Sequence, residues 1–355
     1  MQLKLALFIA GLALFGVDVD ASPVLARRGA IGDIVKMGRA RLRAILPKKK
    51  TSSSVLPPFT PVPNAILDPF TGTFVLPTEQ EVEKLGYKVK SDPSIQRGTT
   101  KYGKWYILGR LGNGSFGIVD LGYDGKDYVA IKSPRPDKDV DPSVLAKEVY
   151  IQMLLNPTEI TVKLYGFVDN VTQRDMVMEV ANAGDWSGYI KHSASLGINE
   201  KEVQAMFRKL AQGLVKIHAA GVAVRDIKPE NVLLFRGKDG LIPKYADFGL
   251  SSLLSNGFDE MCGSPYYLPT EAFTGKTYDL KAADWFALGL SLVDAFLPDN
   301  SDIREDVVDS AWPSGWYMNA PDLKGILFKD LEKKYPDAAD LLKHMLAEKP
   351  ADRWT

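Results

Sequence analysis

Along the middle of the chain, apolar and polar positions alternate in short runs broken by glycine. "WYILGRLG", "GIVDLGY" and "DYVAIKSP" read as three strands joined by Gly-rich turns. In "DPSVLAKEVYIQMLL" the pattern lengthens to a helical period, and "RDMVMEV" returns to strand. After Asp185 helical periodicity dominates. "EVQAMFRKLAQGLVKIHAAG" spaces its apolar residues three and four apart and stops at Gly221. A strand-rich part followed by a helical part predicts an α+β chain with two lobes. The cleft between lobes is then the natural ligand site.

The first hundred residues follow other patterns. Lys4 precedes "LALFIAGLALFGV", an apolar run of 13 residues, and the small residues Val19 and Ala21 follow. Residues 1–21 therefore read as a secretory signal peptide, with an uncut anchor as the alternative. In 22–50, Ile31, Ile34, Val35, Leu42, Ile45 and Leu46 recur at helical spacing among basic residues. Such an arm suits an anionic membrane surface or an acidic partner; the pair Arg27-Arg28 equally suits a removable propeptide. "TSSSVLPPFTPVPN" (51–64) reads as an extended linker. Residues 65–101 form an N-terminal extension with a short helix expected near Glu79–Leu85.

Charge sharpens this division. The chain has 355 residues and no net charge, yet residues 22–50 carry nine Lys/Arg against Asp33 alone. The body from 51 onward is mildly acidic, so no nucleic-acid partner is expected. The single cysteine, Cys262, excludes an intramolecular disulfide. An exported chain without disulfides fits delivery to a reducing compartment. "NGS" at Asn113–Ser115 and "NVT" at Asn170–Thr172 are glycosylation acceptors, and a glycan on Asn113 would obstruct the turn that contains it.

The chemistry begins in that turn. "LGNGSFGIV" places Gly112, Gly114 and Gly117 between two strands, not between a strand and a helix. That context disfavours dinucleotide binding and favours a hairpin whose N–H groups can approach phosphates. Lys132 ends the strand "VAIK", and Glu148 in the next helix could hold its ammonium. "VRDIKPEN" and "ADFGLS" follow in order. Together these four motifs resemble the eukaryotic protein kinases over roughly residues 102–355. The expected fold is bilobal, with a small β-rich N-lobe and a larger helical C-lobe.

The resemblance implies a role for each matching position. Gly112, Gly114, Ser115, Phe116 and Gly117 would cover the ATP phosphates, and Lys132, paired with Glu148, would hold two of them. Leu111, Val119, Ala130 and Leu233 would enclose the adenine beside the gatekeeper Met178. The backbone of Glu179 and Ala181 would bind the adenine edge, and Asp185 the ribose. Asp226 would accept the substrate hydroxyl's proton, with Lys228 adding positive charge. Asn231 and Asp247 would hold Mg²⁺. Asp284 would brace the catalytic loop, and Glu271 would pair with Arg353. Lys228 and "GSPYY", with Ser264, resemble the serine/threonine class. The implied substrate is a protein hydroxyl, with Asp185 and Glu230 favouring basic sequence around it. A monomer is expected.

Two departures leave a pseudokinase scaffold open as the alternative. Val224 stands where a histidine or tyrosine ring packs beneath Phe248. Gln152 stands where leucine is usual. Both read as packing changes. Glu260 or Asp259, near the usual phosphorylation site, could pair with Arg225 in place of a phosphate, or could form a solvated acidic loop. Ser251, Ser252 and Ser255 are the other candidate phosphosites.

Overall fold

The computed structural model describes residues 76–353, apart from 91, 102–104, 115–116, 136–141, 170–173, 254–255, 258–261 and 298–320. The expected leader, basic arm and linker lie outside the described residues. So do Ser115, Phe116, Asn170, Ser255, Asp259 and Glu260. No helix among the described residues is long and apolar enough to cross a membrane.

The chain enters through α1 (Glu79–Lys84), the short helix expected there. Thr78 caps it reciprocally: its hydroxyl accepts from the Glu81 N–H, and the Glu81 carboxylate accepts from the Thr78 N–H at 2.7 Å. Six antiparallel strands follow as one sheet: β1 (Thr100–Lys101), β2 (Trp105–Asn113), β3 (Gly117–Tyr123), β4 (Tyr128–Pro134), β5 (Leu164–Asp169) and β6 (Arg174–Met178). Their order is β1-β2-β3-β4-β6-β5. The three strands read from "WYILGRLG", "GIVDLGY" and "DYVAIKSP" are β2–β4. β5 escaped the pattern because its pairing slips at Gly166, which interrupts the alternation. Helix α2 (Pro142–Leu155) packs against this sheet.

The C-lobe is built on α3 (Trp186–Leu196), α4 (Glu200–Ala219), the hairpin β7–β8 (Val232–Gly237 and Gly240–Tyr245), the short pair β9 (Asn256–Gly257) and β10 (Tyr278–Asp279), then α5 (Leu280–Phe296), α6 (Pro321–Lys334) and α7 (Pro336–Met345). In α4, Val203, Met206, Phe207, Leu210, Gly213, Leu214 and Ile217 form the buried stripe. Asn199 caps its start, and Gly221, at φ 83°, follows its end. Helix α5 is buried on every side, so its apolar sequence has no polar face and it runs through the core.

The stretch read as an extension is continuous with the N-lobe from Leu76 onward. Val82 is buried in the sheet's apolar cluster. Lys90 N–H donates to the Arg110 carbonyl, and Arg97 Nη1 to the Leu108 carbonyl at 2.6 Å. Arg110 binds Asp92 at 2.9 Å and Asp120 at 2.6 Å. Gly86 lies so close to the Asn182 carbonyl that a Cβ there would fall 2.0 Å from the oxygen. A boundary at residue 102 cuts between β1 and β2, which pair Lys101 with Trp105. That pairing joins residues too few and too polar to read as a strand.

Candidate active site

The sheet register brings the N-lobe half of the site together. Gly112 lies opposite Val119, Val119 opposite Lys132, and Ala130 opposite Met178. Side chains two apart on a strand share a face, so Ala130 and Lys132 point the same way. Leu111, Val119, Ala130, Met178 and Ala181 join one apolar cluster, and Leu233 enters it from β7 in the C-lobe. The residues expected to enclose a flat ring therefore do converge across the cleft.

The glycine turn is a β2–β3 hairpin in which Gly114 N–H donates to the Gly117 carbonyl at 2.8 Å. Gly117 sits over the stem of Lys132: a Cβ there would lie 3.3 Å from Lys132 Cγ and Cε and 2.8 Å from the Ser133 carbonyl oxygen. A side chain at 117 would push the lysine away, which explains a glycine at the third position.

Lys132 Nζ donates to Glu148 Oε1 at 2.6 Å and to Asp247 Oδ1 at 3.0 Å. One ammonium thus joins a strand, a helix and the segment after β8. Burial works against its charge, but the two carboxylates outweigh burial and hold its pKa above the ordinary lysine value. Burial pushes Glu148 up, with Lys132 opposing. Burial also pushes on Asp247, but Lys132 prevails and its pKa is lowered.

The other half is a loop held from all sides. Asp226 Oδ1 accepts from Ser264 N–H at 2.9 Å and Ser264 Oγ at 2.8 Å. Its Oδ2 accepts from Asn231 Nδ2 at 2.8 Å and Lys228 Nζ at 2.9 Å. Lys228 Nζ also donates to Ser264 Oγ at 2.6 Å. Below the loop, buried Asp284 accepts from Val224 N–H and Arg225 N–H, each at 2.8 Å, and lies 2.8 Å from His218 Nε2. Arg225 (φ 71°) and Asp247 (φ 59°) occupy left-handed backbone conformations. Strain of this kind collects at functional sites and persists only where neighbours enforce it.

Several expectations change in detail. Val224 is buried in the cluster that holds Phe248, and its carbonyl accepts from Ser251 Oγ at 3.0 Å. Ser251 is therefore a buried structural hydroxyl and not an accessible phosphosite. Gln152 is not a packing substitute: its amide hydrogen-bonds in the core. The Glu179 N–H is committed to the Lys163 carbonyl, so only its own carbonyl is left to turn toward a ligand. The Glu179 carboxylate instead binds Lys244 at 2.6 and 2.8 Å. Asp185 caps α3, with Oδ1 accepting from Gly188 N–H at 2.7 Å. Burial pushes the Tyr278 phenol up, with the Arg225 guanidinium opposing, a neighbour that no motif announced. Glu271 and Arg353 pair at 2.5 and 3.0 Å, and the guanidinium also lies over the Phe286 ring.

The donor set suits a hard divalent ion. Asn231 spends Nδ2 on Asp226, leaving its amide oxygen as the atom that could meet a metal, and Asp247 could add carboxylate oxygen. Among the described residues no group of three His, Cys, Asp or Glu side chains gathers for a metal. Two protein oxygens fit Mg²⁺, whose other ligands come from phosphates and water.

A family model for the protein kinase domain matches residues 105–355. Among curated proteins, the chain is 35% identical over 195 residues to NUAK family SNF1-like kinase 2 of rat, covering 53% of this chain and 30% of that one. The human counterpart shows the same identity and coverage. A "Probable myosin light chain kinase" of Dictyostelium discoideum is 28% identical over 264 residues, covering 70% of this chain and 78% of that protein. This chain thus spans about a third of the length of the NUAK relatives. The match covers both lobes and every residue of the lysine–glutamate–aspartate bridge, and this chain belongs to the protein kinase domain family.

Proposed function

We propose that the protein is a serine/threonine protein kinase, transferring the γ-phosphoryl group of ATP to a protein hydroxyl. The observation that carries the reading is the bridge from Lys132 to both Glu148 and Asp247. It spans the lobes, so the nucleotide-facing and metal-facing groups are already in register.

Lys132 orients the triphosphate, and Glu148 keeps the ammonium from swinging away. Asn231 and Asp247 would hold Mg²⁺, which neutralises phosphate charge when bound. Asp226 takes the acceptor proton as the hydroxyl oxygen bonds to the γ-phosphorus and the bond to the bridging oxygen breaks. Asn231, Lys228 and Ser264 fix the orientation of the Asp226 carboxylate. Lys228 also adds positive charge beside the transferred group. The Lys228–Ser264–Asp226 bonds support a Ser/Thr acceptor, since both residues follow that class. Half-buried Asp185 and exposed Glu230 support a basic context around the acceptor; a peptide array without basic bias removes that part.

The decisive assay is ³²P transfer from γ-labelled ATP to a protein acceptor, with phosphoamino-acid analysis, beside Asp226→Asn. Phosphoserine or phosphothreonine from the natural protein alone is expected. Equal signal from both proteins sinks the reading. The leader pattern supports export through the secretory pathway to an ATP-containing compartment. Intact-mass measurement of the secreted chain tests this, and a retained 1–21 argues against it.

A further inference from the structure

Gln152 lies one helical turn beyond Glu148 on α2, on the same face. It is 1% exposed. Its Nε2 donates to the Val162 carbonyl at 2.6 Å and lies 3.8 Å from Met178 Sδ. Its Oε1 has no hydrogen-bond partner. An unbonded buried acceptor is costly, and an apolar side chain of similar volume would avoid that cost. What such a side chain could not supply is the donor.

The acceptor of that bond belongs to the frame of the C-lobe site. Val162 N–H donates to the Tyr245 carbonyl, and Tyr245 N–H donates to the Ile160 carbonyl. Tyr245 is itself anchored, its hydroxyl donating to the Leu210 carbonyl of α4 at 3.0 Å. Asp247 follows two residues later, and the intervening Ala246 N–H donates to the Asn231 carbonyl. A continuous set of bonds therefore runs from the helix that carries Glu148 to the segment that carries Asp247. Lys132 closes the circuit by touching both carboxylates.

We propose that Gln152 is a positioning residue, tying α2 to residues 160–162 and thereby holding Glu148 against Lys132. The kinetic part of the test rests on the kinase reading; the structural part does not. Gln152→Leu and Gln152→Met both remove the donor, and Met keeps the unbranched shape. Each is made alone and with Glu148→Gln. Each single variant is expected to lower kcat about tenfold, the scale of one lost buried hydrogen bond. The thermal midpoint should be unchanged or raised. With Glu148→Gln already present, the second change should cost no further activity, because both act through one pair. Amide hydrogen exchange of α2 should speed up in both variants relative to α4. Wild-type kcat in Gln152→Met, or losses that multiply with Glu148→Gln, overturn the proposal. Unchanged α2 exchange overturns it whatever the turnover. Absence of phosphoryl transfer in the natural protein removes the kinase reading alone, because the exchange comparison still decides the role of Gln152.

Discussion

The two halves of the site are held in different ways. The loop around Asp226 is fixed by many bonds from several segments: Asp284 receives two backbone N–H groups, and Ser264 offers both its N–H and its hydroxyl. On the N-lobe side, Glu148 is held through one side-chain ammonium and, by our proposal, one amide bond from Gln152. Around Asp226 the loss of one partner leaves others in place, whereas on the N-lobe side a single substitution removes the bond that holds Glu148. The loop should therefore keep its geometry, and α2 should be the half that moves.

Five experiments bear on that contrast, in falling order of effect. Asp226→Asn removes the proposed proton acceptor and should lower kcat by about 10²–10⁴-fold. Its thermal midpoint should fall only modestly, because the amide oxygen still accepts from Ser264 while the amide nitrogen loses the bonds from Asn231 and Lys228. Unfolding at room temperature would instead place Asp226 among the structural groups. Asp284→Ala leaves buried N–H groups of Val224 and Arg225 without acceptors. Each unpaired group costs roughly 1–3 kcal/mol, so denaturant titration should show a loss on the order of 3 kcal/mol. A smaller loss than in Glu148→Ala would reverse the contrast.

Glu148→Gln should lower kcat roughly 10- to 100-fold with nearly native stability, since positioning is lost and the fold is not. Val224→Ala should cost roughly 1–3 kcal/mol of stability by removing buried methyl groups. Its kcat should stay within about threefold, since main-chain bonds to Asp284 and Ser251 hold the loop. A large fall in kcat would show that the side chain at 224 sets the loop after all.

The smallest effect is alkaline. Burial, reinforced by the hydrogen bond to Glu202, pushes the Tyr189 phenol up to about 12. A raised folded pKa adds stability that is complete below the unfolded value, about 10. It is lost as pH rises through the folded value. Stability curves of Tyr189→Phe and the natural protein should therefore differ below pH 10 and converge toward pH 12. Parallel curves would show that the phenol does not titrate with folding.

Legibility in the sequence followed the same division. Residues whose neighbours lie close along the chain could be read: the strands β2–β4, helix α2, and the clustered polar groups from Arg225 to Asn231. Periodicity and turn chemistry act locally, so they leave local marks. β5 was hidden by its slip at Gly166, and the docking of residues 76–101 by short, polar pairings. Ser251 looked like any exposed serine after "ADFGL", yet its hydroxyl is spent on Val224, 27 residues earlier. Gln152 looked like a defect in an apolar spine, because its acceptor carbonyl belongs to another segment.

The amino-acid order alone determined which chemistry the chain can attempt. Lysine, glutamate, aspartate, asparagine and aspartate in that sequence, with a glycine turn before them, carry the charges and oxygens suited to phosphoryl transfer. Only the tertiary structure decided which of them meet. Lys132 and Asp247 are 115 residues apart, and no periodic pattern encodes a 3.0 Å contact over that span. Nor could the sequence tell that Val224 is held by its backbone while Gln152 acts through its side chain. Main-chain N–H and C=O groups are the same at every non-proline residue. Where each finds its partner is settled only when distant segments pack and water is excluded.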